Sequence, residues 1–408
     1  MSPIRSSLLT LAAGLAAALA AAGADPTAPA TSRPASPATS RTTETRMIHL
    51  DGLDIELSPP ALVVRRKGYC WFPSVDRAPD GRLLASMSTY ADLHTDKPTA
   101  QFCWSDDGGR SWSAPVVGKP ATAKLPTEAG ELLATPYYLR PGPEGSMRGH
   151  YQVFPKGGRD VRLVEDGLSV TGWPRPDRSF DAKLGLSGFV FNSQAVRLKD
   201  VRHLATLYGH FADARRYALV AADSADGAKW AFRSVVADEK CPLPGQEGPC
   251  EAALGRLADG QILCVFRLSS GARYGRTCSD DEGRTWQKPT VMPEAGSVEP
   301  RLAVLGDGTV VLSGGRPGLF LWLATDRKGQ TWQKLDLQAH HNACVPDEPI
   351  AAADRTSSYT GLAVLDASTV LVVYDRIPFG WAPIPADSSQ TNSVWAVRAT
   401  VRKPAGAQ

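Results

Sequence analysis

One eight-residue pattern recurs along this chain and limits what it can fold into. Ser279-Asp280-Asp281-Glu282-Gly283-Arg284-Thr285-Trp286 reads as a turn fastened by its own side chains. The short carboxylate of Asp281 can accept from the backbone N–H groups that a tight turn leaves unpaired. Gly283 supplies the positive φ such a turn needs. Thr285 and Trp286 open a strand, and Trp286 carries a large apolar area that has to be covered. The same spacing returns at Ser105-Asp106-Asp107-Gly108-Gly109-Arg110-Ser111-Trp112. A weaker copy is Thr325-Asp326-Arg327-Lys328-Gly329-Gln330-Thr331-Trp332, with Arg327 at the position of the acid. A shortened one is Ser224-Ala225-Asp226-Gly227-Ala228-Lys229-Trp230. The pattern is a staple of architecture and not a catalytic motif.

A second repeat points the same way. From about residue 47 the chain is made of short, β-branched apolar runs with no long stretch of 3.6-residue period. Apolar runs flank turns at Pro79-Asp80-Gly81, Gly142-Pro143-Glu144-Gly145, Lys199-Asp200-Val201, Ala258-Asp259-Gly260, Gly306-Asp307-Gly308 and Asp366-Ala367-Ser368. Their mean spacing of roughly 57 residues fits propeller blades of about 40–50 residues plus loops. The fold class expected is all-β, a six-bladed β-propeller of four-stranded antiparallel blades. A ring of blades removes most free strand edges. The Asp-bearing turn should follow the third strand of a blade, with Trp112, Trp286 and Trp332 packed between sheets.

Composition sets the remaining bounds. The chain has 408 residues, 43% hydrophobic and 21% charged, enough to bury a large core. A net charge of +3 gives no electrostatic case for nucleic acid or an anionic membrane surface. Residues 1–24 read as a signal peptide: Arg5, an apolar stretch from Leu8 to Ala21, and the small-residue site Ala22-Gly23-Ala24. The stretch is short and Ala-rich, so cleavage is expected in preference to membrane anchoring. The protein is then secreted or periplasmic. Residues 25–46, rich in Pro, Ala, Ser and Thr, read as a disordered linker. The propeller spans 47–402, and 403–408 form a tail. Of seven cysteines, Cys241 and Cys250 bracket a Pro/Gly-rich loop and are the best local candidates for a disulfide, while Cys103, Cys264 and Cys278 fit buried thiols. No Cys or His cluster has zinc spacing, and no cofactor is expected.

Two further segments carry a resemblance to a known family. One is Cys250-Glu251-Ala252-Ala253-Leu254-Gly255-Arg256, followed by Val265-Phe266-Arg267; the other is Ser358-Tyr359-Thr360-Gly361-Leu362, followed by Tyr374-Asp375. Together with the turn pattern, which is the Asp-box, they resemble the sialidase (neuraminidase) superfamily over nearly all of residues 60–400. The resemblance implies an exo-glycosidase that removes a terminal acidic sugar from a glycan and retains configuration through a Tyr nucleophile. In those roles it implies Tyr359 as nucleophile, Glu251 as the base that takes its proton, and Asp96 as the acid, with Asp92 as the second choice. Arg267 and Arg316 match two arginines of a carboxylate-binding triad. The first arginine of that triad is absent, because Cys70-Trp71-Phe72-Pro73-Ser74 stands where the family has Arg-Ile-Pro. Arg65, Arg66 and Arg376 are the candidates to replace it. The loss leaves open sialic acid, another acidic sugar and a neutral one.

Each residue also has a plainer reading. Tyr359 is equally at home as a half-buried strand aromatic, and Arg316 as a loop residue between glycine and proline. His340-His341-Asn342 reads as a solvated loop or a sugar contact, and Phe379 and Trp381 as packing or as platforms for a sugar ring. Two other functions suit the same residues: a polysaccharide lyase or uronic-acid hydrolase, and a non-catalytic propeller that binds glycan or protein.

Overall fold

The computed structural model describes residues 41–95, 97–192, 194–296 and 298–403. The expected signal peptide, residues 1–24, the expected linker over 25–40 and tail residues 404–408 lie outside the described residues. Residues 41–46 do not behave as free linker. Arg41 Nη2 donates to Asp347 at 2.8 Å, Thr42 N–H donates to Cys344 O at 3.2 Å, and a strand begins at Arg46. The described chain is nearly all strand, with one α-helix, Leu337–Cys344. That helix is not long or apolar enough to cross a membrane.

Three sheets are four-stranded antiparallel meanders. They comprise Trp71–Arg77, Leu83–Ser88, Ala100–Ser105 and Val116–Gly118; then Cys250–Arg256, Ile262–Arg267, Arg273–Ser279 and Thr290–Gly296; then Val298–Val304, Val310–Gly315, Leu319–Ala324 and Gln333–Asp336. A ten-stranded sheet holds two more meanders, 121–171 and 189–237, joined where residues 169–171 run parallel to residues 229–231. The sixth set joins both ends of the described chain. Strands Thr360–Val364, Thr369–Arg376 and Asn392–Arg402 come from one end, and the last of these pairs with residues 61–66 and 54–57 from the other.

In each set the first two strands are linked by the same hairpin. Ala78 N–H donates to Arg82 O at 2.8 Å and Gly81 N–H to Ala78 O at 2.9 Å, and the pair recurs at 127/131, 198/202, 257/261 and 305/309. A sixth turn, 365–369, keeps the first of these bonds. Five of the expected turns are therefore these hairpins. The expectation at 142–145 fails, because those residues form a 3₁₀ turn before Met147–Phe154. The true counterpart is Thr127-Glu128-Ala129-Gly130-Glu131, where the Thr127 hydroxyl takes the Asp's place and accepts from Glu131 N–H at 3.2 Å.

All four Asp-bearing turns follow the third strand of their set. Asp281 accepts from Arg284 and Thr285 N–H at 3.0 and 2.8 Å and from the Ser279 and Thr285 hydroxyls at 2.9 and 2.7 Å. Asp107 repeats this with Ser105, Arg110 and Ser111. The shortened copy works too, Asp226 accepting from Ala228 and Lys229 N–H. In the weaker copy the acid is not missing. Asp326, one position earlier, accepts from Lys328, Gln330 and Thr331 N–H. Trp332 is buried, and Trp112 and Trp286 are partly buried against core clusters.

The core lies between consecutive sheets. Leu204, Leu219, Leu254 and Phe266, for example, pack together from two neighbouring sets. Full burial of each such side chain contributes roughly 1.5–3 kcal/mol. All seven cysteines are free thiols. Cys250 is sealed in this core, where burial pushes its thiol pKa well up, and Cys241 packs against the same cluster without bonding to it.

Candidate active site

One local device builds the site. At the start of three first strands the register slips between residues 71 and 74, 250 and 252, and 298 and 301. Inside each slip a non-glycine residue takes positive φ: Phe72 at 53°, Glu251 at 31° and Glu299 at 22°. Bulges of this kind redirect a side chain and concentrate near functional sites. All three residues line one cavity of about 470 Å³. Ser358, at φ 65°, makes a similar bend just before Tyr359 and the strand Thr360–Val364.

The expected pair meets here. Tyr359 Oη donates to Glu251 Oε1 at 2.5 Å across 108 positions of chain. Arg267 Nη1 donates to both Glu251 oxygens at 2.9 and 3.0 Å, and lies 3.4 Å from Tyr359 Oη. Its Nη2 is held by Glu247 at 2.8 Å. Glu299 N–H donates to Glu251 Oε2 at 3.0 Å. Burial and the adjacent Glu251 charge push the Tyr359 phenol well above its ordinary pKa. Burial opposes the charge on Arg267, but Glu251, Tyr359 and Cys250 together more than offset it, so the guanidinium stays protonated. The phenol therefore keeps its proton unless an adjacent base removes it, and Glu251 is placed to do so.

Arg316 also lines the cavity. Its guanidinium lies 5.4 Å from the Tyr359 ring centre and 5.0 Å from that of Trp381, and Nη2 donates to Ser357 O at 2.9 Å. Asp92 and His94 line the cavity as well. Burial raises the Asp92 pKa, and Arg316 counteracts part of the rise. Asp96, the acid expected from the resemblance, lies outside the described residues.

Arg376 does not reach the cavity. It is buried behind the site, donating to Pro349 O, Thr391 O and Gln390 Oε1 at 3.0, 3.2 and 2.7 Å. Arg65 pairs with Glu348 at 2.9 Å, and neither it nor Arg66 lines the cavity. The missing arginine is thus not replaced by any of the three. Phe72, in the stretch where the resemblance expects that arginine, lines the cavity instead, its ring 4.8 Å from that of Tyr359 and 5.6 Å from that of Trp381. His340 and His341 are neither loop nor sugar contacts. They lie buried in the helix, with His341 bonded to Tyr374 Oη and Glu348 O at 3.0 and 2.9 Å.

Among the cavity residues that escaped the sequence reading are Phe72 as a wall, Tyr137 and Tyr208, Glu299, and Arg301, which pairs with Glu299. A signal existed. Val298-Glu299-Pro300-Arg301 stands at the start of its strand as Cys250-Glu251 and Trp71-Phe72 stand at theirs. Among the described residues no His, Cys, Asp and Glu cluster is arranged to hold a metal ion.

No protein-family model matches the chain, and no curated protein matches it in sequence. Solved structures do. A Dyadobacter fermentans protein of unknown function is similar with a TM-score of 0.63 and 17% identity, over 86% of this chain and 100% of that one. The Hadza microbial sialidase Hz136 is similar at 0.55 and 14%, over 82% and 66%. The Penicillium chrysogenum α-L-arabinanase, solved with arabinobiose, is similar at 0.55 and 15%, over 83% and 98%. The chain shares the fold of these proteins, the last two of them glycosidases.

Proposed function

We propose that the protein is a retaining glycoside hydrolase that removes a terminal sugar from a glycan. In this reading the six strand sets are blades of one closed ring, and the cavity is the active site at its centre. The observation that carries it is the 2.5 Å hydrogen bond from Tyr359 to Glu251, under the Arg267 guanidinium. Sialidase and arabinanase neighbours agree with a glycosidase.

Tyr359 Oη attacks the anomeric carbon while its proton passes to Glu251 Oε1. Arg267, touching both groups, stabilises the phenolate character that develops. The bond from the anomeric carbon to the leaving oxygen breaks as an acid protonates that oxygen. Asp92 takes this role, being in the cavity with a raised pKa. In the second half, Asp92 as carboxylate removes a proton from water, and the water oxygen displaces Tyr359. The phenolate recovers its proton from Glu251.

Purified protein is assayed on a panel of aryl glycosides that includes sialosides, uronides and neutral sugars. Tyr359→Phe and Glu251→Gln each lower kcat by roughly 10²–10⁴-fold, the usual range for losing such a group. The double variant is little worse than either, because the pair acts as one unit. Retention is read from the anomer first formed, by NMR. Full activity in Tyr359→Phe sinks the proposal, and an unsaturated product absorbing in the near ultraviolet marks a lyase instead.

A further inference from the structure

We infer that the sugar taken into this cavity is neutral, and that Phe72 is the residue that makes it so. The inference rests on the hydrolase reading above and names its substrate class.

The first ground is charge. The described ionisable groups lining the cavity include three carboxylates, Asp92, Glu251 and Glu299, and three guanidiniums, Arg267, Arg301 and Arg316. Two of the cations are already committed. Arg267 is shared between Glu251 and Glu247, and Arg301 is paired with Glu299 while its Nε faces Thr360 O at 3.4 Å. Arg316 has one nitrogen on Ser357 O and its face against two aromatic rings. A ligand carboxylate would find Arg316 as the one described cavity arginine without a carboxylate partner, since Arg267 and Arg301 are each held in an ion pair. The Glu251 carboxylate, in the same cavity, would repel a ligand carboxylate where water is excluded.

The second ground is the wall at Phe72. Its bulge aims a phenyl ring into the cavity against Tyr359 and Trp381. The backbone there needs no cation. Asp375, fully buried, accepts from Phe72 N–H at 3.0 Å, from Ser357 N–H at 2.7 Å and from the Thr356 hydroxyl at 2.8 Å, and also from the Ser357 hydroxyl. A carboxylate so supplied with neutral donors is satisfied without an arginine. Aromatic faces beside hydroxyl and carboxylate acceptors suit the C–H face and hydroxyls of an uncharged sugar.

Calorimetric binding at pH 7 tests this with neutral aldonolactones of pentoses and hexoses against two acidic probes, 2,3-didehydrosialic acid and glucarolactone. The aryl glycoside panel is run alongside. At least one neutral lactone binds tenfold or more tighter than either acid, and any turnover favours neutral over acidic glycosides by about 100-fold. Phe72→Arg narrows or reverses the preference, whereas Phe72→Leu keeps it. Tighter binding or faster turnover of an acidic probe by the unaltered protein overturns the inference while leaving the hydrolase standing. Neutral binding without turnover does the opposite. Failure to bind any probe overturns both.

Discussion

At the residue scale, the backbone conformation of single positions carries most of what can be tested. Val201 sits at φ 64° and is 62% exposed, at the hairpin position where four sister turns place Gly81, Gly130, Gly260 and Gly308. A β-branched residue in the left-handed region is strained by roughly 1–2 kcal/mol. Val201→Gly relieves it, and we expect a gain of about 1 kcal/mol in denaturant unfolding with unchanged activity. A loss of stability would mean that the Val201 side chain makes a contact worth more than the strain. Asp92 offers a test in pH. Its pKa is raised, chiefly by burial, so it keeps its proton to a higher pH than an ordinary carboxyl. As the proposed acid it must be protonated at the start of turnover. The rate should fall as pH rises through that raised value, and Asp92→Asn should abolish this limb of the pH–rate profile. If the limb survives in Asp92→Asn, another group, with Asp96 first in line, holds the role.

At the scale of elements, the Asp-bearing turns join one sheet to the next. A side chain at Gly283 would meet Leu204 Cδ2 at 2.8 Å, from the set before it in the chain, and one at Gly109 would meet Leu371 Cδ1 at 2.6 Å, from the set that joins both ends of the described chain. Two variants separate the turn's own bonding from its docking. Asp281→Ala strands N–H groups and is expected to lower stability by about 1–3 kcal/mol. Gly283→Ala keeps those bonds but crowds Leu204 and strains φ, with a loss of about 1–3 kcal/mol from overpacking. Neither should change kcat at temperatures where the protein is folded; a turnover loss at full stability would put the turn in the active site. These turns were legible in the sequence because their side chains do the bonding, so residue type and spacing identify them. The 127–131 hairpin was not legible, since a Thr hydroxyl replaces the expected Asp. The helix 337–344 spans only eight residues, too few for a period to show, and its start is marked by Asp336 accepting from Ala339 N–H at 2.8 Å. Arg376 was misplaced for a different reason: position in a strand does not say which neighbours will take up its five donors.

At the scale of the whole molecule, Tyr359 and Glu251 were legible as a pair only through family likeness, because nothing local brings together residues 108 positions apart. The ring proposed above does that work, and it depends on closure. Strand Asn392–Arg402 has residues 54–57 and 61–66 along one edge. A protein beginning at residue 67 would expose that edge and, lacking the fully buried Leu53, Ile55 and Leu57, uncover the core residues packed against them, Leu321, Leu335 and Val397 among them. It should aggregate or lose cooperative unfolding, whereas one beginning at residue 41 should unfold as the full chain does. Size-exclusion chromatography and thermal melts of the two truncations decide it. If the shorter protein stays monomeric and melts in a single sharp transition, the N-terminal strands are ornament and the ring closes by other means.

That closing strand also sets an order of events in time. Ser58 Oγ accepts from the N–H of Arg398, 340 positions away. At a synthesis rate of roughly 5–20 residues per second, the first partner waits on the order of 20–70 seconds for the second to be made. Throughout that interval the edge of residues 54–57 that pairs with 399–402 has no mate, although strand Arg46–Leu50 is already present on the other side. Folding of this chain is therefore bound to end where its two extremities meet, and an agent that shields a short greasy strand for about a minute would decide how much of it reaches the finished state.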